Sequence, residues 1–420
     1  MYGSQEDIKY NQKLFFVDGI TFMPSMALLS ATAVVPFFLN HLGASTFQIA
    51  LATAMTMVCV FISQPFFGFI ASRSAIMNKT FSKILFIQRV SFLLFVLLIP
   101  VLSGHNAVMI NVFLVFWCVF NFFVGSYAVF FTPLIIKLLP PDKRGALRGF
   151  GLAIGSLLGF GASALMPMIF RYITFPYSYM VILGLGIGFL LVNATLFYLL
   201  RQSKDMEPNE PMSMGQYLKK MPEAVSESPP FRAMILACVF VAIANAVLPF
   251  YTLYGIREFN ATESHVAIFA GLAILAGAVA HIFFGFLLDK FGARVNAAIS
   301  ACLIIAAGAM ALISSSLTLL FVSWFFANVG QTFFMTSVSL LTGEISPKAK
   351  IPLYAGVFTT ISTALSALIV LVIAPVLENL GFIPVFAIVL ACGVISLAIN
   401  VLVLRKRMAV GVGAGADGVA

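Results

Sequence analysis

The chain has 420 residues, 61% of them apolar and only 9% charged, with a mean hydropathy of +1.06. Soluble domains carry about 25% charged residues, so a water-facing globule is excluded and much of the surface must face lipid. The formal charge of +9 invites a nucleic-acid reading, but its placement excludes one: all Lys and Arg except Arg89, Arg171 and Arg257 fall in the tails, in alternate connections or in the central loop, the asymmetry that keeps basic residues on the cytoplasmic side of a membrane.

At roughly 20 apolar residues per crossing, the pattern predicts twelve helices, at 14–40, 47–71, 82–103, 107–137, 148–170, 177–200, 232–256, 264–288, 295–315, 317–343, 352–377 and 381–404. The expected fold is all-α: a tail 1–13, an N-terminal six-helix bundle 14–200, a linker 201–231, a C-terminal six-helix bundle 232–404, and a Gly- and Ala-rich tail 405–420 expected to be disordered. The charge asymmetry places the linker and both termini in the cytoplasm of a multi-pass protein of the cell membrane. The first helix is too long for a cleaved signal peptide and is expected to be an uncleaved anchor. The linker gathers Pro208, Pro211, Pro222, Pro229 and Pro230 with acidic and basic residues, and 214–225 is a candidate surface helix.

Taken in order, the first span carries Asp18, Pro24 and Pro36, and loop 40–46 lacks Lys and Arg. Arg73, Lys79 and Lys83 mark the next connection, and the third span contains Gln88-Arg89. The fourth holds Trp117, Asn121, Gly125 and Tyr127. The fifth places Gly151, Gly155, Gly159 and Ser163 at every fourth position, a flat stripe where another backbone can come close. Trp117 and Trp324, the only two Trp, are each followed at +4 by Asn (Asn121, Asn328), at +23 by Pro (Pro140, Pro347) and at +32 by Gly (Gly149, Gly356). The two halves therefore share a register, and with an even number of spans each they keep one orientation in the membrane. Cys59, Cys118, Cys238, Cys302 and Cys392 all fall in spans and are expected to be buried, inert thiols. No metal site, nucleotide-binding loop or nucleophile–base set is legible, and neither a cofactor nor an enzyme activity is expected. Asn260-Ala-Thr262 matches a glycosylation triplet, a pattern that chance often produces.

The stretch Phe283-Phe-Gly-Phe-Leu-Leu-Asp-Lys-Phe-Gly-Ala-Arg294 puts Asp289 where a membrane helix is expected to meet a short basic loop, and a carboxylate there needs a partner. An earlier copy, Phe66-Phe-Gly-Phe-Ile-Ala-Ser72-Arg73, keeps Gly68 and Arg73 but has Ser72 in place of the acid. Parallel six-helix halves, a central cytoplasmic loop and this motif together resemble the major facilitator superfamily of transporters. Its loop signature is Gly-x-x-x-Asp-Arg/Lys-x-Gly-x-Arg/Lys, matched here by Gly285, Asp289, Lys290, Gly292 and Arg294. Asp142-Lys-Arg-Gly145 and Glu344-x-x-Pro347 look like the family's loops after helices 4 and 10. Departures are equally specific. Asn121 stands where many proton-driven exporters have Arg, and the fifth span lacks their Gly-Pro-x-x-Gly-Gly run. The Asp18-Gly19, Gln64-Pro65 and Gln88-Arg89 pairs look like a little-characterised bacterial branch.

The resemblance implies that helix 8 packs on helix 5, which brings Asp289 to the start of helix 5 beside Arg148 as a cytoplasmic gate, with Gly68 and Arg73 in a weaker second latch. Asp18 and Arg89 lie at similar depth in helices that both start in the cytoplasm, so they are expected to pair or to face a shared aqueous cavity, as a permanent structural ion pair or a proton-coupling pair, with Arg89 snorkelling to the loop as the remaining alternative. His281, on the small-residue face of the eighth span, is a second proton-site candidate or an interhelical hydrogen-bonding group. Asn121, Tyr127, Asn245, Tyr251, Asn328 and Gln331 are candidates to line a substrate cavity, because the resemblance places helices 4, 7 and 10 along the central path. The expected function is secondary transport of a small molecule by alternating access, driven by protons, by a monomer in the lipid bilayer. A uniporter, a Na⁺-coupled symporter, and a non-transporting receptor or scaffold of the same fold remain open at this point.

Overall fold

The computed structural model describes residues 4–72, 74, 76–140, 146–202, 215, 222, 225–226, 228–345 and 351–403. Among the described residues every regular element is helical. The first half contains α1 (Gln5–Leu28), α2 (Val34–His41), α3 (Thr46–Ser72), α4 (Met77–Leu102), α5 (Asn106–Val124), α6 (Ser126–Leu138), α7 (Ala146–Tyr172) and α8 (Tyr177–Leu199). The second contains α9 (Pro229–Ala246), α10 (Leu248–Phe259), α11 (Glu263–Leu312), α12 (Leu317–Ile345), α13 (Ile351–Leu380) and α14 (Phe382–Ala398), which ends in a π-helical turn, Ile399–Val403. Eleven stretches of the described residues are long and apolar enough to cross a membrane.

The first predicted span is the exception, and its chemistry explains why. Its helix begins at Gln5, inside the stretch read from sequence as a polar tail. Ser4 caps it, its hydroxyl accepting from the Asp7 N–H at 3.1 Å, with Glu6 and Asp7 in the first turn, where negative charge favours a helix start. The helix stops at Leu28. Ser30 then folds the chain, accepting from the Ala33 N–H at 3.1 Å, and Pro36 has no N–H to return to the carbonyl four residues back. Each half thus opens on a broken helix, since α9 and α10 part at Val247 beside Pro249.

The N-terminal extension is clamped to the end of α8. Asn11 and Arg201 exchange side-chain and backbone bonds at 3.0 and 2.9 Å, Asp7 pairs with Arg201 at 3.1 Å, and the guanidinium lies 4.3 Å from the Tyr10 ring centre. Hydrogen bonding from the Ser4 hydroxyl, then from Arg201, holds the Asp7 carboxyl below its ordinary range.

The loop expected at 289–294 is helical. Residues 263–312 form one 50-residue helix, rich in Ala and Leu and without a proline, so its ladder has no obligatory break. Two apolar windows within it, Glu263–Phe283 and Arg294–Leu312, flank the charged segment. Cys302 also departs from expectation, being exposed rather than buried.

The chain divides into two compact units, Met1–Met212 with Asn260–Leu275, and Ser213–Phe259 with Ala276–Ala420. In the first, α1 packs on α7 and α8, and α4 packs on α5 and α8. The α1–α7 contact is backbone on backbone. A Cβ at Gly151 or Gly155 would collide with the carbonyl oxygens of Phe16 and Gly19; one at Gly159 would lie 3.0 Å from the Met23 oxygen, and one at Gly19 would lie 2.8 Å from Gly151. The stripe read from the sequence therefore seats α1. The same helix meets the start of α11, where a Cβ at Gly271 would touch Phe160 at 3.2 Å and Ser163 at 3.5 Å. In the second unit α9 packs on α12, α13 and α14, and Ala276, Ala280, Val329 and Phe333 form a core cluster.

Gly155→Ala is expected to destabilise the protein by about 1–3 kcal/mol, because the added methyl must push two backbones apart. Gly161→Ala, on the same helix with nothing within 4 Å of its Cβ position, is expected to stabilise slightly, by up to about 1 kcal/mol, through helix propensity. Thermal unfolding of both variants in detergent checks the contrast.

Candidate functional site

Residues 78, 82 and 89 recur at helical spacing and turn one face of α4 toward α8. Asn78 donates to the Leu200 carbonyl at 2.6 Å and Ser82 to the Ala194 carbonyl at 2.8 Å. Arg89, further along that face, reaches α6 and α8 together. Its Nη2 donates to the Tyr127 hydroxyl and to Asn193 Oδ1, each at 2.7 Å. The Tyr127 hydroxyl donates to the same Asn193 oxygen at 3.0 Å. Asn193 Nδ2 donates to Asp18 Oδ1 on α1.

The network unites three residues singled out from sequence, Asp18, Arg89 and Tyr127, and adds Asn193, which sequence reasoning missed. Asn193 directly precedes Ala194, whose carbonyl accepts from Ser82, but an isolated amide in an apolar span carries no signal of its own. Arg89 and Asn193 are 0% exposed and Asp18 is 7% exposed. Among the described residues, Asp18 and Arg89 are the two buried charged side chains. Aromatic rings wall them in. Phe22, Phe81 and Phe131 lie 6.2, 5.3 and 6.3 Å from the Tyr127 ring, and Phe197 packs on Phe81 at 4.8 Å and on Phe15 at 6.3 Å. Away from water each polar contact is strengthened, and each missing one is costly. Arg89 Nε and Nη1 are nevertheless without a hydrogen-bond partner among the described residues, so the guanidinium has donors in reserve.

The other candidates are placed as follows. Asn121 is buried and donates to the Trp117 carbonyl at 2.7 Å; Asn328, its repeat mate, is buried and donates to the Trp324 carbonyl at 2.9 Å. The repeat is thus also a repeat of side-chain bonding, in each case to the residue's own helix. Tyr251 is buried against Trp324 and Phe386, at 5.9 and 4.8 Å between ring centres. Asn245 is half-buried at the α9–α10 break, and its Nδ2 has no partner among the described residues. Gln331 is half-buried and His281 is exposed. Arg294 is half-buried within α11, and Gly68 faces open space. Arg73 and the side chains of Arg148, Asp289 and Lys290 lie outside the described residues, as do the surroundings of Gly285 and Gly292.

Residues 233–414 match the sequence model of the Major Facilitator Superfamily. The match covers less than half of the chain and lies within its second half, which is similar to the superfamily in sequence. Solved structures of the superfamily's fold superpose along almost the whole length. A bacterial homologue of the human lysosomal transporter Spinster, inward-facing and unoccupied, gives a TM-score of 0.66 at 16% identity over 97% of this chain and 98% of that one. A bacterial homologue of the iron transporter ferroportin in its inward-facing state gives 0.68 at 14% identity, covering 95% and 99%. The nucleoside transporter NupG, as a point mutant, gives 0.66 at 13% identity, covering 93% and 98%. At these identities the likeness is one of fold. No curated protein matches the chain in sequence. The eleven stretches long and apolar enough to cross a membrane accord with that fold.

Because Asp18 and Arg89 share one amide, removing either strands the other. Arg89→Met is expected to cost on the order of 3–5 kcal/mol by leaving a carboxylate without its counter-charge. The double variant Arg89→Met with Asp18→Asn is expected to recover a large part of that loss. A double-mutant cycle of unfolding midpoints measures the coupling.

Proposed function

We propose that this chain is a transporter of the Major Facilitator Superfamily, a proton-coupled secondary transporter that moves a small molecule by alternating access, with Asp18 as the proton site. What supports the reading is the Asp18–Asn193–Arg89–Tyr127 network. It buries a carboxylate against membrane-crossing helices, supplies a cation that favours its ionised form through an intervening amide, and leaves that cation with unused donors. An ionisable group inside a membrane is expensive to keep, and a purely structural tie is better served by a fully satisfied pair. Protonating Asp18 neutralises one end of the network, and Arg89 is then free to use its spare donors elsewhere. This changes the balance between two arrangements of α1 against α4 and α8, which is what coupling requires. Tyr127 belongs to this proton-linked machinery. Asn245, at the α9–α10 break with an unused donor, is the second unit's foremost cargo-contacting candidate, followed by Gln331 and Asn328. His281 is not needed in this scheme.

A thermal-shift screen of small molecules on the purified protein supplies a ligand, and its flux into proteoliposomes is then measured with and without an imposed pH gradient. Wild-type accumulation is expected to depend on the gradient. Asp18→Asn is expected to abolish gradient-driven accumulation while downhill exchange persists; wild-type-like gradient dependence in that variant removes Asp18 from the coupling role.

The signature residues Gly285, Asp289, Lys290, Gly292 and Arg294 keep a gating role in this proposal, supported by their match to the family motif. Asp289→Asn is expected to lengthen spin-label distances across the cytoplasmic side. If they stay as in wild type, Asp289 is not a latch.

A further inference from the structure

We infer that Asn193 is a positioning residue that sets when Asp18 takes up and releases its proton. The inference rests on the reading of Asp18 as the proton site, and it assigns to α8 a part in coupling that the sequence did not suggest.

The bonding leaves the amide one orientation. Oδ1 faces two donors, the Arg89 guanidinium at 2.7 Å and the Tyr127 hydroxyl at 3.0 Å. An amide nitrogen there would meet donor against donor, so Nδ2 must point to Asp18, where it donates. A positive charge on the oxygen side polarises the amide and makes its N–H a stronger donor to the carboxylate. Asn193 thereby passes part of the guanidinium's influence to Asp18 through a neutral group that does not itself titrate.

The alternatives show what this achieves. A carboxylate in direct contact with a buried guanidinium is held ionised and gives up that state reluctantly. A carboxylate in an apolar site with no donor is held neutral. An intervening amide yields an intermediate case, in which the charged form is supported but the proton remains within reach. The neutral form also fits: a protonated Asp18 still offers a carbonyl oxygen to Nδ2, while the other oxygen carries the proton.

The neighbouring elements present the following groups to Asp18. Across from Asp18, α8 offers Asn193 together with Leu196, Phe197 and Leu200, which line an apolar crevice with Leu14 and Phe15. On α7 the residues seated against this part of α1 are Gly151, Leu152 and Gly155, none of them titratable; the Arg148 side chain, one turn earlier, lies outside the described residues. The charged or titratable groups that act on the site from α4 and α6 are Arg89 and Tyr127, and both hydrogen-bond to the Asn193 oxygen.

The test needs no cargo. Dicyclohexylcarbodiimide, an apolar reagent that adds to protonated carboxyl groups, is applied to the full-length protein in detergent across a pH series. Labelling of the Asp18 peptide is read by mass spectrometry. Wild type is expected to label at low pH and to lose labelling as pH rises. Asn193→Leu, which removes the donor, is expected to carry the falling limb at least one pH unit higher, a tenfold change in proton affinity. Asn193→Asp, nearly isosteric and so retained as a folded variant, gives Arg89 a new partner and confronts Asp18 with a like charge; its limb is expected to move higher as well. Ser82→Ala removes a neighbouring α4–α8 bond and is expected to leave the limb in place. If Asp18 labels in wild type but neither Asn193 variant moves the limb upward, Asn193 only packs and the inference fails, while Asp18 stands. If Asp18 fails to label at any pH in wild type, the proton-site reading falls and this inference falls with it.

Discussion

Two opposite charges inside one bundle of membrane helices constrain the rest of the first unit. Bringing Arg89 out of water is costly unless its charge is answered, and the answer is distributed over four helices: Asp18 on α1, Arg89 on α4, Tyr127 on α6 and Asn193 on α8. Each of these helices must hold its rotation to within a fraction of a turn for the network to close. Much of the surrounding packing can be read as the means of holding those rotations.

α1 shows how this is done. A helix carrying Asp18 cannot be gripped by apolar side chains all round, because part of its face is polar. It is seated instead by its backbone, with Phe16, Gly19 and Met23 against Gly151, Gly155 and Gly159. Close backbone approach fixes both the height and the rotation of α1, since a slip of one residue would bring a side chain where only a glycine fits. Asp18 is next to Gly19, so the same contact that seats the helix aims its carboxylate. At the other end of α1, the Asn11–Arg201 exchange and the Asp7–Arg201 pair tie it to the end of α8, the helix that carries Asn193. The position of the amide relative to the acid is thus held from both sides.

These features were unequally legible in the sequence. The glycine stripe was readable because its period is that of a helix and its consequence is steric. The duplication was readable because Trp is rare here, and the structure extends it to matching Asn-to-carbonyl bonds at Asn121 and Asn328. Asp18 and Arg89 stood out because charge is conspicuous in an apolar span. Asn193 did not, since an amide is uncharged and its importance arises from what converges on it. The helical start at Gln5 was signalled by Ser4 and Asp7, a capping pair, but the surrounding polar residues outweighed it. The break after Leu28 is marked by Ser30, whose hydroxyl accepts from the Ala33 N–H, and the helical path through 289–294 reflects the lack of any proline, which hydropathy alone does not register.

The duplicated scaffold and the unduplicated charge together suggest how work is divided along the chain. Among the described residues, the buried polar side chains of α11 to α14 are neutral: Asn296, Ser300, Ser323, Asn328, Ser337, Thr342, Ser366 and Ser396. Several bond to carbonyls of neighbouring or of their own helices, as Ser300 does to Gly330 at 2.8 Å and Ser323 to Ala307 at 2.7 Å, which fixes packing without creating a titratable centre. Among the described residues the repeat keeps its Trp and Asn register while buried charge falls in one copy, and two demands are kept apart. Holding a proton requires a buried ion and a partner to answer it, and burying more ions would multiply the desolvation cost. The cargo contact proposed at Asn245 needs only an unsatisfied neutral group at a helix break. With the buried charges of the described residues all in the first unit, the proposed proton site depends on one network.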